Sequence, residues 1–258
     1  IFQAIKKNIL SRQSFLYEEP VFLLEKEVGE TGTYFSIIKS IAAGNHKIGR
    51  IASNLNINQS GVTKYLQTLI ELDILERIVP VTESNPEKSK KGLYLIKDNF
   101  IRFWFRFVYP FRNYLEIDQT DFVLKKLEQN FIDNHVSYVF EDICREKVVD
   151  LSSSGILDFS IVKTGKWWNK DTEIDLVAVS DEMNDILFAE CKYTRQKVDA
   201  KVYFALKEKS KKVDHPQGAK LHYAIFSKSG FKPELTKLAE KENQLFLFQV
   251  SLDGAPQS

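Results

Sequence analysis

Two apolar runs on either side of a short polar connection constrain this chain more than any other feature. Thr172–Val179 and Ile186–Tyr193 alternate their side chains with the two-residue period of a strand. Ser180-Asp181-Glu182-Met183-Asn184-Asp185 between them has the length and polarity of a hairpin connection. On the first strand Glu173, Asp175, Val177 and Val179 are expected on one face, with Ile174, Leu176 and Ala178 on the other. On the second, Ile186, Phe188, Glu190 and Lys192 share a face. A loop symmetric about Glu182 and Met183 sets Asp175 opposite Glu190, and Glu173 opposite Lys192. Directly opposed side chains lie about 4.5–5.5 Å apart at Cβ, where two carboxylates repel each other. Lys192 offsets part of that repulsion, and a divalent cation offsets more. Hard cations such as Mg²⁺ take carboxylate oxygens and keep several waters, leaving room for a phosphate.

The surrounding segments predict an α/β second domain over residues 120–258. A long helical pattern runs from Asp121 through Leu124, Leu127, Phe131, Val136, Phe140 and Ile143, with an interruption near Asp133-Asn134. Strands are expected at Ile156–Val162, Leu221–Phe226 and Leu245–Val250, and helices at Val202–Lys211 and Lys232–Lys241. The last few residues read as frayed.

Residues 1–119 carry a different pattern. Short helices are expected around Ile5–Leu10 and after Pro20. Tyr34, Phe35, Ile37, Ile38 and Ile41 recur at helical spacing and stop at Gly44. Ile48, Ile51, Ala52 and Leu55 mark a second helix. After the turn Asn56-Ile57-Asn58, Gln59 or Ser60 is positioned to cap a third helix carrying Val62, Leu66, Leu69 and Ile70. Two helices joined by about four residues predict a helix-turn-helix. Strand-like Ile74–Val81 and Leu93–Ile96 around polar Thr82–Gly92 then predict a wing. On this winged helix, Gln59, Ser60, Thr63, Lys64 and Gln67 would face a DNA major groove, and Lys88, Lys90 and Lys91 the neighbouring backbone. The alternative role for the same module is interdomain or protein binding.

Eight aromatics fall within residues 100–114, interleaved with Arg102, Arg106 and Arg112. Such a stripe either packs a connecting helix, arginine stems lying over rings, or stacks bases; packing is the favoured expectation. Formal net charge is only +1, so any nucleic-acid contact must come from local patches. One lies between Arg195 and Lys220, with eight basic residues against three acidic; in it Lys197, Lys201 and the lysines following are expected to attract a phosphate backbone. Two cysteines, Cys144 and Cys191, give no disulfide framework, and Cys191 is expected to be buried. Apolar stretches fall short of a membrane span, and a cytoplasmic location is expected.

The pattern Glu173-Ile174-Asp175-Leu176-Val177, a turn, then Ile186-Leu187-Phe188-Ala189-Glu190-Cys191-Lys192 resembles the core of the PD-(D/E)XK nuclease superfamily. Ile174 stands where the superfamily's name has proline. The resemblance implies a restriction-endonuclease-like mixed sheet flanked by helices. In it Asp175 and Glu190 hold Mg²⁺ or Mn²⁺, completed by Glu141 of Tyr138-Val139-Phe140-Glu141-Asp142. Lys192 acts beside the scissile phosphodiester, and Glu173 lies just outside the metal's immediate ligands. The winged helix, the aromatic segment and Gly165-Lys166-Trp167-Trp168 together resemble the C-terminal half of archaeal-type DEXX-box ATPases. That resemblance implies DNA as partner and a P-loop ATPase domain preceding a chain such as this. No G-x-x-x-x-G-K-[ST] occurs here, so ATP binding is not expected of these residues.

Overall fold

A computed structural model describes residues 1–28 and 31–251. The segment from Leu252 onward, expected to fray, lies outside the described residues. The chain divides into two compact units: Ile1–Ile78 with Gly92–His135, and Val79–Lys91 with Val136 onward.

In the first unit, α1 (Phe2–Asn8), α2 (Phe15–Val28), α3 (Thr31–Ala42), α4 (Ile48–Leu55) and α5 (Gln59–Glu71) precede a two-stranded ribbon, β1 (Leu75–Ile78) and β2 (Leu93–Ile96). Helix α2 starts five residues before Pro20 instead of after it. At that position proline forfeits only the bond to the Leu16 carbonyl, near the helix start where few bonds are lost. Gly44 has φ +101°, the left-handed conformation that ends α3. The cap of α5 is Asn58, one residue earlier than expected: its Oδ1 accepts from Gly61 N at 2.7 Å and from Ser60 Oγ at 2.9 Å. Ile37, Ile38, Ile51, Val62, Leu66 and Leu69 form the centre of the core.

The aromatic stripe packs, as favoured. In α6 (Asn99–Phe107), capped by Asp98, Phe103, Trp104, Phe105 and Phe107 are all buried. A 3₁₀ turn and α7 (Arg112–Glu116) lead to α8 (Thr120–Phe131), which buries Val123, Leu124 and Leu127 in this same core. Residues 120–135 therefore belong with the first unit, and the break between units follows His135 instead of residue 119. A π-helical stretch, Ile132–Val136, marks the interruption anticipated near Asp133.

His135 stacks on Phe131 at 5.5 Å between centroids and meets Phe103 edge-on. Burial, reinforced by repulsion from Arg102, lowers its pKa from 6.5 to about 4. Between those values the unfolded chain takes up a proton that the folded chain refuses, so stability is lost as pH falls through 6.5 toward 4. His135→Phe keeps the ring stack and should narrow the difference in melting temperature between pH 7 and pH 5. An unchanged difference would show that this imidazole does not govern the acid response.

The second unit is a mixed α/β layer structure. Among the described residues its sheet has five strands in the order β3-β4-β5-β6-β7: β3 (Lys163–Trp168), β4 (Glu173–Val179), β5 (Asp185–Lys192), β6 (Lys220–Ser227) and β7 (Leu245–Gln249). The first two pairings are antiparallel and the last two parallel. From Leu176 onward, alternation divides β4, β5 and β6 between two faces. Leu176, Ala178, Leu187, Ala189, Ala224 and Phe226 pack against Phe140, Cys144 and Val148 of α9 (Ser137–Ser153). Val177, Val179, Ile186, Phe188 and Ile225 pack against Tyr203 and Leu206 of α10 (Ala200–Ser210) and Leu235 of α11 (Pro233–Ala239).

Two expectations need correction here. Ile156–Val162 forms no strand. Leu157 and Phe159 are buried beside α9 from an irregular segment, and the ladder opens only where Val162 N donates to Val179 O at 2.9 Å. The edge strand is β3, which contains Trp167 and Trp168, both buried. Residues 79–91, expected as the end of the wing's first strand and its polar tip, belong to the second unit: Val81 is buried in its core and donates its backbone N–H to Lys166 O at 2.9 Å. Lys88, Lys90 and Lys91 are exposed on that segment, Lys91 paired with Glu83 at 3.1 Å, so they do not belong to the unit that carries α5.

Candidate active site

The β4–β5 hairpin has the anticipated register. Leu176 faces Ala189, Val177 faces Phe188 and Val179 faces Ile186. Glu182 and Met183 at its turn take the left-handed φ values of 54° and 58°. The ladder ends at Leu176–Ala189, and one step beyond it the Asp175 side chain takes over the bonding. Its Oδ2 accepts from Cys191 N at 2.9 Å.

A bulge in β4 prepares this. Gly165 pairs with Val177 and Trp167 with Ile174, so Asp175 and Leu176 together oppose the single residue Lys166. The extra residue breaks the alternation: Ile174 packs with Val177 and Val179, contrary to the simple two-face reading of this strand. Gly165 allows the edge to be covered, since a Cβ there would lie 3.3 Å from Val81 Cβ.

Asp175, Glu190 and Lys192 come together. The Lys192 ammonium lies 3.4 Å from Asp175 Oδ2 and is also ion-paired with Glu190 Oε2. Burial alone would lower the pKa of Lys192. The charges of Asp175 and Glu190 outweigh it and hold the group protonated well above its ordinary range. Glu190 is nearly inaccessible, its side chain 5% exposed. Cys191 points away, into the α9 side of the sheet. Contact with the Cys144 thiol, followed by burial, raises its pKa well above the ordinary value, which keeps it a neutral packing group.

Glu141 and Glu173 meet a different lysine. Lys166 is ion-paired with Glu141 and lies 3.5 Å from Glu173 Oε1, with its ammonium 5.6 Å from the Tyr138 ring. Sequence reasoning passed over this residue. The only available signal was its neighbourhood, a lysine between glycine and two tryptophans just before the acidic strand. Lys209 of α10, anticipated only as part of the basic patch, also joins the site: its ammonium holds Glu190 Oε1 at 2.5 Å. Gln59, Ser60, Thr63, Lys64 and Gln67 lie exposed on α5 in the other unit, as anticipated. Ser60 is engaged in the cap, and Thr63 Oγ1 donates to Gln59 O at 2.8 Å.

Glu141 carries a distinctive titration. Burial raises its pKa from 4.5 to about 7; Lys166 opposes the shift, while Asp175 and Glu173 add to it. The folded chain therefore holds a proton that the unfolded chain has released between about pH 4.5 and 7, and stability falls as pH rises through that window. Glu141→Gln should flatten this slope by roughly 2 kcal/mol between pH 5 and pH 7.5, read from urea unfolding at each pH. A slope identical to the wild type's would refute the assignment.

The donors are carboxylate oxygens, the chemistry that suits a hard divalent cation. Asp175 and Glu190 already share one ammonium, so positive charge is accommodated between them. Among the described residues no group of three or more His, Cys, Asp and Glu side chains converges as a metal cluster. The residues present fit a two-carboxylate site of the kind Mg²⁺ uses when waters and phosphate supply the remaining ligands.

Residues 104–203 match DUF234, a family described as archaeal and bacterial proteins of unknown function. The match runs from within α6 to the start of α10 and includes Glu141, Asp175, Glu190 and Lys192. An uncharacterized protein of Methanocaldococcus jannaschii is 37% identical over 241 residues, 93% of this chain and 52% of that protein. The chain thus spans about half the length of the curated relative it matches. Among solved structures, a repair endonuclease from Pyrococcus abyssi is similar at 15% identity and a TM-score of 0.29, over 42% of this chain and 46% of that one. A Vibrio cholerae protein is similar at 11% identity and a TM-score of 0.31, over 92% and 53%. Both scores are low, so the functional reading rests on the geometry and not on these likenesses. No helix among the described residues is long and apolar enough to cross a membrane.

Proposed function

We propose that this chain is a DNA-directed module whose second unit is a PD-(D/E)XK-like, Mg²⁺- or Mn²⁺-dependent phosphodiesterase. The observation that carries the reading is the single ammonium of Lys192 shared by Asp175 on one strand and Glu190 on the next. Asp175 and Glu190 would hold the cation, with Glu141 of α9 contributing through water. A cation bound there supplies a more acidic water and neutralises charge on the phosphoryl group. Cys191 N keeps Asp175 Oδ2 aimed at the hairpin's end, and Lys192 holds a phosphoryl oxygen or the attacking water as negative charge develops. The exposed face of α5 would supply winged-helix contacts to DNA, and the resemblance to archaeal-type DEXX-box ATPases makes an attached ATPase domain part of the proposal.

Nicking of supercoiled plasmid in Mg²⁺ or Mn²⁺, compared among wild type, Asp175→Ala and Lys192→Ala, tests it. Equal activity in all three would trace cleavage to a contaminant. One observation favours a second reading, a catalytically inactive nuclease-like fold that binds DNA or protein. Each site carboxylate is already compensated by Lys166, Lys192 or Lys209. Calorimetry showing no Mg²⁺ binding would support this second reading over the first.

A further inference from the structure

Glu190 Oε2 is taken by Lys192 from the same strand face, and Oε1 by Lys209 from the last turn of α10. Three residues further on, Lys212 donates to Thr172 Oγ1 at 2.6 Å, just ahead of β4. The end of α10 thus lays two lysines over the ends of β5 and β4, where Asp175 and Glu190 emerge. Asp175 and Glu190 carry two negative charges, and Lys192 and Lys209 balance them. A further double positive charge beside a carboxylate only 5% exposed would be strongly unfavourable unless an ammonium left. Lys192 is held by two carboxylates and Lys209 by one, so Lys209 is the cheaper to release. Its side chain is 33% exposed, on a flexible four-carbon stem.

We propose that Lys209 is an exchange residue: it guards Glu190 Oε1 and, on yielding that oxygen to a divalent cation, turns outward with Lys212 to hold a DNA phosphate. This rests on the function proposed above and adds regulation to the same site. Cation and DNA then bind with positive linkage, each raising the other's affinity.

The test uses the full chain, with Mg²⁺ titrated calorimetrically and a fluorescent DNA duplex bound in Ca²⁺ or in EDTA. Wild type should bind the duplex more tightly in Ca²⁺. Lys209→Gln should bind Mg²⁺ about fivefold more tightly than wild type, having lost its internal competitor, and should lose most of the Ca²⁺-dependent gain in DNA affinity. Lys209→Arg, which keeps the charge, should retain that gain and serves as the folding control. Equal or weaker Mg²⁺ binding by Lys209→Gln overturns the exchange while leaving the two-carboxylate site intact. Tighter Mg²⁺ binding with the DNA gain unchanged overturns it also, since the lysine would then leave without meeting phosphate. No Mg²⁺ binding by wild type or variant removes the proposed function and this inference together.

Discussion

Cleavage of supercoiled DNA should fall by at least about a hundredfold when Asp175 is replaced by alanine, and by a similar factor for Lys192→Ala. Asp175→Ala acts at three places. It removes one of two carboxylates proposed for the cation, leaves Lys192 paired to Glu190 alone, and strips Cys191 N of its acceptor. That last loss threatens the fold by about 1–3 kcal/mol, because the orphaned amide is in a buried segment. Asp175→Asn separates the effects. The amide oxygen still accepts from Cys191 N, so stability should stay close to wild type while cleavage is lost. If Asp175→Asn cleaved like wild type, this carboxylate would have no part in catalysis.

The largest effect on stability is expected at Trp104→Ala, about 3–5 kcal/mol in urea unfolding. Trp104 is fully buried and meets Phe105 at 5.1 Å and Tyr109 at 5.4 Å. Its indole N–H donates to Tyr17 O at 2.9 Å, tying α6 to α2. Alanine leaves a cavity and removes the indole's bond to the Tyr17 carbonyl together. Trp104→Phe keeps most of the volume and should cost about 1–3 kcal/mol, chiefly through the lost bond. A loss below 1 kcal/mol for Trp104→Ala would mean that this ring does not organise the core.

Local rules predicted the elements whose signals are local. The hairpin register followed from loop symmetry and period-two alternation, and it placed Asp175, Glu190 and Lys192 at one ladder end. The helices from Tyr34 to Ile70 followed from apolar spacing and Gly44. Ile156–Val162 misled because it has the composition of a strand, whereas a strand also needs a partner. Lys163–Trp168 found one at the sheet edge despite its polar start. The bulge at Asp175–Leu176 is set by pairing to β3 and leaves no mark in β4's own residues. The pairings of Lys166 with Glu141 and of Lys209 with Glu190 escaped for the same reason: the partners are 25 and 19 residues away, and a lysine in a sequence reads as solvated surface.

The path of residues 79–91 has a practical consequence. The backbone leaves the first unit after Ile78, contributes Val81 to the second, and returns at Gly92 before departing again after His135. No single cut yields two intact pieces. A fragment ending at His135 strands Val81 away from its core, and one starting at Val136 leaves the Lys166 carbonyl without its backbone donor. Expression boundaries chosen between β2 and β3 therefore remove residues 79–91 from the second unit, and activity lost from such a fragment says nothing about the chemistry of the acidic hairpin.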